Sequence, residues 1–344
     1  DQLFNITSLR AKYRYRYERA FSKKYSPEFA ALTKSSPTHF SLDDHEFEDG
    51  WAGRPAQLSN TTPLEQARRD SLLARSEYGL RNAIRFQSSG RDQPNQFFAK
   101  AETPFSYALE HSELTFPAFL LDSRSSRKYR HSDDPMAQDM FDDAVRASLE
   151  SWLRDAQSRF GDAPKFLMSG SVIAPINRSY SDAPSLFRRQ DNWHGYPKSV
   201  QWLFDFLLDN QIQNLVLIGG DEHLSAVAKL SIEQSAAASD LSDPAATPIT
   251  AWQIVASALY SPLPFANSRD TDFLWDQEVT IPLPTGSSSR ACYTAMKLSS
   301  CASQFVKVKA CRQQVVVSCY DASNTLVNSK HFDLRKAAII SDSP

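Results

Sequence analysis

The stretch LVLIGGDEH, residues 215–223, decides the fold of this chain. Its four consecutive branched apolar residues predict a buried β-strand, and a polar loop follows the strand at its C-terminal end. Asp221 and His223 lie two residues apart at this corner, so both can reach one cation or a pair of cations. The alternative is a helix N-cap at Asp221 followed by a surface histidine.

A second segment of the same kind is DDHE, residues 43–46, which follows the apolar-leaning stretch 38–42. Its three carboxylates surround one imidazole and repel each other unless a cation holds them. A structural histidine bonded to carboxylates is the alternative for His45. Taken together, the two segments predict a metal site built from oxygen and nitrogen ligands.

The composition is that of a globular protein. A chain of 344 residues with 41% apolar residues can form one large or two ordinary domains around a substantial core. Its formal charge of −2 gives no electrostatic case for binding nucleic acid or an anionic membrane. No apolar run approaches the ~20 residues that span a bilayer.

The four cysteines lie close together near the C-terminus, at Cys292, Cys301, Cys311 and Cys319. Their spacings match no zinc-binding Cys-x-x-Cys pattern, so a structural zinc is not expected. Their number permits two disulfides, with three possible pairings. Free thiols are the favoured interpretation, and disulfides stay open.

Hydrophobic periodicity predicts alternating helices and strands, as in an α/β protein. Helices are predicted over residues 8–34, 63–86, 134–160, 198–210 and 224–235. Strands are predicted over 116–121, 165–168, 214–218 and 251–256, and further strands from residue 277 onward. The segments 88–97 and 172–197 are predicted loops, and 236–248 is a predicted linker.

Four predicted segments deliver polar or charged residues at their C-terminal ends, namely 38–42, 116–121, 165–168 and 214–218. In α/β sheets, ligands and chemistry gather at the carboxyl ends of the strands. Because two of these four ends carry both Asp and His, an active site at this edge is the leading hypothesis.

The same segments resemble the successive motifs of PhoD-type alkaline phosphatases, within the calcineurin-like metallophosphoesterases. The matching motifs are SLDDHE (41–46), FLLDSR (119–124), GYP (195–197), GGDEHLS (219–225) and ASALYSP (256–262). The opening DQLF (1–4) resembles the family's Gly-Asp-Gln-[Ile/Val]-Tyr motif, starting one residue late. The resemblance extends from residue 1 to about residue 335, with the motifs in the family's order.

The resemblance implies an α/β fold with a core of two packed mixed β-sheets flanked by helices. It divides the chain into a catalytic core over 1–276 and a strand-rich C-terminal extension over 277–344 that packs on the same domain. The family's N-terminal β-domain and its first metal motif would lie upstream of residue 1.

The resemblance also implies roles for individual residues. Asp1 would bridge two metal ions, and the other metal ligands would be Asp44, Asp221 and His223. His45 stands at the catalytic histidine, and Glu46 stands at the acid that orients it. Weaker matches place Arg124 and Trp193 in the pocket that binds the phosphate of the substrate.

By this resemblance the chain hydrolyses phosphate mono- or diesters with two or more metal ions, chosen among Fe, Ca, Mn and Zn. A metal-bridging hydroxide would attack phosphorus, and His45 would assist the leaving group. The partner is then a phosphoester substrate, and nucleic acid is not expected to bind.

Three departures from the family pattern bear on activity. The family's tyrosine is replaced by Phe4, which cannot ligate a metal, and Gly50 stands where asparagine is frequent. His194 stands where Asp is common, and is either a compensating ligand or, more simply, a surface loop residue. The first two departures motivate the alternative of a catalytically impaired binding or regulatory module.

A serine hydrolase is a further alternative. The required Gly-x-Ser-x-Gly elbow occurs nowhere in the chain, and Ser169-Gly170-Ser171 lacks the flanking glycines. This alternative is therefore disfavoured.

Overall fold

The structure is a computed structural model of the 344-residue chain. It describes residues 19, 23–36, 38–39, 41, 106–109, 115–124, 127–128, 137, 139–175, 192–235, 247–258, 273–300 and 303–341. The helix and loop predicted over 63–86 and 88–97 lie outside the described residues.

The described helices are α1 (Pro27–Ser35), α2 (Asp143–Phe160) and α3 (Pro197–Asp209), and a 3₁₀ turn at Trp193–Gly195 precedes α3. The strands are β1 (Tyr107–Leu109), β2 (Ala118–Leu121), β3 (Lys165–Ser169), β4 (Leu215–Gly219), β5 (Ser225–Gln234), β6 (Ile249–Val255), β7 (Glu278–Thr280), β8 (Ser289–Ser299), β9 (Gln304–Cys311), β10 (Gln314–Asp321), β11 (Leu326–Asp333) and β12 (Ala338–Ser341).

A large sheet of eight strands has the order β1-β2-β3-β4-β6-β5-β8-β7. Its centre is parallel, because β2 pairs with β3, β3 with β4, and β4 with β6 in the same direction. The remaining strands pair antiparallel. The carboxyl ends of the four parallel strands therefore lie along one edge of the sheet.

The second sheet is antiparallel, with the order β12-β11-β10-β9. It packs on one face of the large sheet, where the Trp252 ring of β6 stacks on Phe332 of β11 at a centroid distance of 4.6 Å. Helices α2 and α3 cover the opposite face with buried leucines such as Leu149, Leu153 and Leu203. The described residues thus form an α/β protein with two packed sheets and flanking helices, as predicted.

The helix predicted over 224–235 is wrong, because this segment is the ten-residue strand β5. Its alanine, lysine, leucine and glutamate residues favour a helix locally. However, Ala228, Leu230 and Ile232 recur with a period of two and all lie in the helix-facing core. The strand is paired along its length by β6 and β8, and this long-range pairing outweighs local propensity.

Other predicted boundaries shift by smaller amounts. The helix predicted from residue 134 begins at Asp143, since the backbone of its N-cap Asp142 is extended. Of the segment predicted as helix over 8–34, the structure describes α1 together with Arg19 and residues 23–26. From residue 277 the chain is strand-rich as predicted, and β7 and β8 complete the large sheet.

The three described cysteines form no disulfide with one another. Cys292 and Cys311 are free thiols, and the Cys319 thiol donates to Gln304 Oε1 at 3.3 Å. Within the described residues, no helix is long and apolar enough to cross a membrane.

Candidate active site

The candidate site lies at the edge where the parallel strands end. The loops after β2, β3, β4 and β6 begin at Asp122, Gly170, Gly220 and Ala256, and parallel pairing brings these loops together. The convergence predicted for the segments 116–121, 165–168 and 214–218 is therefore observed. Of the fourth segment, 38–42, the structure describes residues 38, 39 and 41, and the DDHE residues that follow it lie outside the described part of the chain.

The corner after β4 is tightly built. A Cβ on Gly219 would lie 2.8 Å from Val172 Cγ1 and 3.1 Å from the Ser171 carbonyl oxygen, so only glycine fits without a shift. The Ala256 N–H donates to the Gly219 carbonyl at 2.9 Å, which ties this corner to the end of β6. Close packing and this hydrogen bond therefore fix the path of the chain as it leaves the sheet.

Beyond this corner, Asp221 and His223 both have left-handed backbones, with φ values of 77° and 54°. Such conformations cost free energy for residues other than glycine, and they concentrate at functional sites. The helix N-cap alternative for Asp221 does not apply, because β5 follows at Ser225.

Asp221 forms a buried ion pair with Arg124. The Arg124 Nη2–H donates to Asp221 Oδ2 at 2.9 Å, and the two side chains are 0% and 6% exposed. The same nitrogen donates to the Gly170 carbonyl at 3.3 Å. One guanidinium thus connects the loops after β2, β3 and β4.

A second buried arginine, Arg127, connects the loops after β2 and β3. Its Nε–H donates to the Ser123 carbonyl and its Nη2–H donates to Ser171 Oγ, both at 2.7 Å. Ser123 Oγ lies 3.3 Å from Ser171 Oγ and 3.4 Å from Ser169 Oγ, both within hydrogen-bonding distance. This network stabilises the loops after β2 and β3.

The loop before α3 contacts the corner after β4. Asn192 Nδ2–H donates to Glu222 Oε1 at 3.3 Å, which links this loop to the residue between Asp221 and His223. Trp193 is fully buried, its ring contacts Phe141 edge-on, and its Nε1–H donates to Ser169 Oγ at 3.4 Å. The pocket roles predicted for Arg124 and Trp193 stay predictions.

His194 is not a surface residue, which corrects the simpler of its two interpretations. Its side chain is buried, and its Nε2 contacts the Ile173 carbonyl. Burial lowers the pKa of His194 from 6.5 to about 4, although the hydrogen bond to Ile173 favours the protonated form. His194 is therefore neutral near pH 7 and serves to connect two loops.

The remaining predicted site residues lie outside the described part of the chain. They are Asp1, Asp44, His45 and Glu46, together with the two departures Phe4 and Gly50. Among the residues that the structure describes, no three His, Cys, Asp or Glu side chains form a cluster suited to a metal. Asp221 and His223 are the two described members of the predicted set of metal ligands.

Sequence reasoning missed several residues that build this edge, namely Ser123, Arg127, Ser171, Asn192 and Glu222. Arg127 had a signal, since DSRSSR places a second arginine three residues after Arg124 in the same loop. The contact between Asn192 and Glu222 joins residues 30 apart in sequence, so only the fold reveals it.

The fold and this edge define a class: an α/β protein with two packed sheets and an acidic, histidine-bearing corner at the carboxyl ends of parallel strands. A family model described as PhoD-like phosphatase matches residues 4–285. Because the match covers most of the chain, the chain belongs to the PhoD-like phosphatase family. The family resemblance noted in the sequence is therefore confirmed, and the family is one of phosphoester phosphatases.

A solved structure described as "Structure of PhoD" has a similar fold, with a TM-score of 0.52 at 15% sequence identity. The alignment covers 88% of this chain and 54% of that chain, so this chain spans about half the length of that structure. No curated protein matches this chain.

Proposed function

We propose that this chain is a metal-dependent hydrolase of phosphate mono- or diesters, acting at the carboxyl edge of its large sheet. The observation that carries the proposal is the corner after β4. There, a buried carboxylate at Asp221 and an imidazole at His223 follow a glycine turn, and both residues have left-handed backbones. Family membership supplies the substrate class, a phosphoester.

The donor set at this corner suits a metal. A carboxylate and an imidazole are ligands that divalent first-row cations accept, and the carboxylate also suits calcium. Arg124 donates to Asp221 Oδ2 at 2.9 Å, and we assign the Asp221 carboxylate to the metal. Asp1 and Asp44, outside the described residues, would complete the ligand set by their match to the family motifs.

Two cations held by these residues would supply positive charge to the phosphate oxygens and would acidify a water molecule. The chain's own residues would do the rest. His45 would donate a proton to the leaving oxygen of the ester, since an imidazolium is a general acid suited to neutral pH. Glu46 would orient the His45 ring by accepting its second N–H.

The alternative is a catalytically impaired module that keeps the fold. It is motivated by Phe4, which lacks the hydroxyl of the family's tyrosine, and by Gly50, which offers no side-chain ligand. The two functions differ in turnover, so a direct assay separates them.

The test uses the full chain. Bound metal is measured by elemental analysis, and hydrolysis of p-nitrophenyl phosphate and bis(p-nitrophenyl) phosphate is measured for wild type, Asp221→Asn and His45→Ala. Asp155→Asn is the matched control, because Asp155 is an exposed carboxylate on α2 paired with Arg159.

Wild type and Asp155→Asn are expected to bind metal and turn over. Asp221→Asn is expected to lose metal, and His45→Ala is expected to retain metal but lose turnover. A metal-free wild type would defeat the enzyme proposal. Metal binding without turnover in wild type would favour the impaired module, and unchanged metal content in Asp221→Asn would remove Asp221 from the ligand set.

A further inference from the structure

We propose that Arg124 is a positioning residue that holds Asp221 in its ligating orientation and balances its charge, and that it does not contact the phosphate of the substrate. This inference rests on the proposed function, because it takes Asp221 as a metal ligand. It assigns Arg124 a different role from the pocket role implied by the family motif.

The geometry of the pair supports this role. Arg124 Nη2 is 2.9 Å from Asp221 Oδ2, and the same nitrogen donates to the Gly170 carbonyl at 3.3 Å. At its own end, the Arg124 backbone N–H donates to Asp122 Oδ1 at 3.1 Å, which fixes the loop after β2. These contacts place Nη2 between the Gly170 carbonyl and the Asp221 carboxylate, so that Arg124 orients this carboxylate.

Asp221 needs such support for two physical reasons. It lies past the end of β4 with φ of 77°, so no strand pairing fixes its backbone. Its side chain is 6% exposed, and a buried carboxylate without a counter-charge carries a large desolvation cost. Arg124 supplies that counter-charge in the metal-free protein.

A direct phosphate contact fits the same geometry poorly. The Arg124 side chain is 0% exposed, whereas an arginine that binds substrate presents an N–H to the open site. Its Nη2 already donates to a carboxylate and a carbonyl. A phosphate could therefore reach only the other N–H groups of a guanidinium that is closed off from the open site.

Arg127 offers a matched control within the same loop. It is also a buried arginine, at 5% exposure, and its described hydrogen bonds go to the Ser123 carbonyl and Ser171 Oγ. Replacing either arginine removes a buried guanidinium from the loop after β2. Only the Arg124 replacement removes the ion pair with Asp221.

The experiment titrates the metal-free full-length chain with Mn²⁺ by calorimetry and follows its thermal unfolding without metal. The variants are Arg124→Met, Arg124→Lys, Arg127→Met, Asp221→Asn and the double variant Arg124→Met/Asp221→Asn. Arg124→Lys keeps the charge, so it carries the metal titration if Arg124→Met fails to fold.

Residues that hydrogen-bond to metal ligands typically contribute 10- to 100-fold in affinity, so we expect Arg124→Met to weaken Mn²⁺ binding by about that factor and Arg124→Lys by less. Arg127→Met is expected to change Mn²⁺ affinity by less than about threefold, since its described partners are not ligands. In the Asp221→Asn background, Arg124→Met is expected to lower the unfolding temperature no further, because the ion pair is already lost. The sum of the falls in unfolding temperature of Arg124→Met and Asp221→Asn should therefore exceed the fall of the double variant.

Equal or tighter Mn²⁺ binding by Arg124→Met, with a raised KM for p-nitrophenyl phosphate, would overturn the inference in favour of a phosphate contact. A fall in unfolding temperature of the double variant equal to the sum of the two single falls would also overturn the inference. Failure of wild type to bind Mn²⁺, Ca²⁺ and Zn²⁺ alike would overturn the proposed function, while the unfolding temperatures would still test the pairing of Arg124 with Asp221. The coupling in unfolding temperature shows which of the two ideas has failed, because it needs no metal.

Discussion

Gly219 and Val172 approach each other so closely that a Cβ on Gly219 would lie 2.8 Å from Val172 Cγ1. We predict that Gly219→Ala pushes the loop after β3 away from β4 and lowers the free energy of unfolding by about 1–3 kcal/mol, as overpacking does. Because Asp221 follows two residues later, metal affinity should fall as well. Urea denaturation and a metal titration measure the two effects.

Gly220→Ala is the control for this prediction. A Cβ on Gly220 would lie 3.5 Å from the Ala256 carbonyl oxygen, an ordinary contact, and the substitution adds the same methyl group one residue later. It should cost much less stability than Gly219→Ala. Equal effects at the two positions would mean that the close approach to Val172 is not the cause.

Metal removal should destabilise the protein through mass action, because the proposed site binds metal only in the folded state. A ligand that binds only the folded state at 100 times its Kd adds about 2.7 kcal/mol to the free energy of unfolding. We therefore expect a chelator to lower the melting temperature of wild type and of Asp155→Asn. The melting temperature of Asp221→Asn should respond little, and a full response from that variant would contradict the ligand assignment.

The lowered pKa of His194 predicts that the folded protein loses stability in acid. Its pKa is about 4 in the folded protein and 6.5 in its ordinary state, so the unfolded chain binds the proton more readily between these values. Stability should therefore fall as the pH drops from 6.5 to 4, by roughly 3 kcal/mol in all. Above pH 6.5 the residue contributes no pH dependence.

The measurement is urea denaturation of wild type and His194→Gln between pH 4 and pH 7. Glutamine can donate an N–H to the Ile173 carbonyl, the described partner of His194 Nε2, and it does not titrate. The variant should lose part of the acid-induced fall. His331→Gln in the second sheet is the comparison, because His331 is only partly buried. Parallel pH profiles for wild type and His194→Gln would refute the argument.

The packing of the two sheets depends on Phe332 and Trp252. Their rings are fully buried and stacked at 4.6 Å, so Phe332→Ala should cost about 3–5 kcal/mol. Phe305→Ala is the matched control, since Phe305 stacks on Tyr320 at 5.2 Å but is only partly buried. Urea denaturation should show a much smaller loss for Phe305→Ala.

Much of the fold was predictable from sequence because its signals are local. The apolar runs of β2, β3 and β4 and the polar residues after them identified the strands and the edge where chemistry gathers. Strand β5 was missed for the opposite reason. Its residues favour a helix locally, and only pairing with β6 and β8, which come later in the chain, makes it a strand.

The candidate site divides in the same way. Residue types at a strand end carry chemical information, so motif spacing singled out Asp221 and His223, and the family resemblance added Arg124. The pairing of Arg124 with Asp221, 97 residues apart, results from the parallel arrangement of β2, β3 and β4. The same holds for the burial of His194, which a loop sequence rich in polar residues does not indicate.

The sequence by itself determined the family, the α/β class and the candidate site residues, since these depend on local patterns of apolar, acidic and imidazole side chains. Only the tertiary structure decided which of those residues meet. The carboxyl ends of separate strands converge through hydrogen bonds between distant segments, and the free energy of burying charges then selects partners such as Arg124 and Asp221.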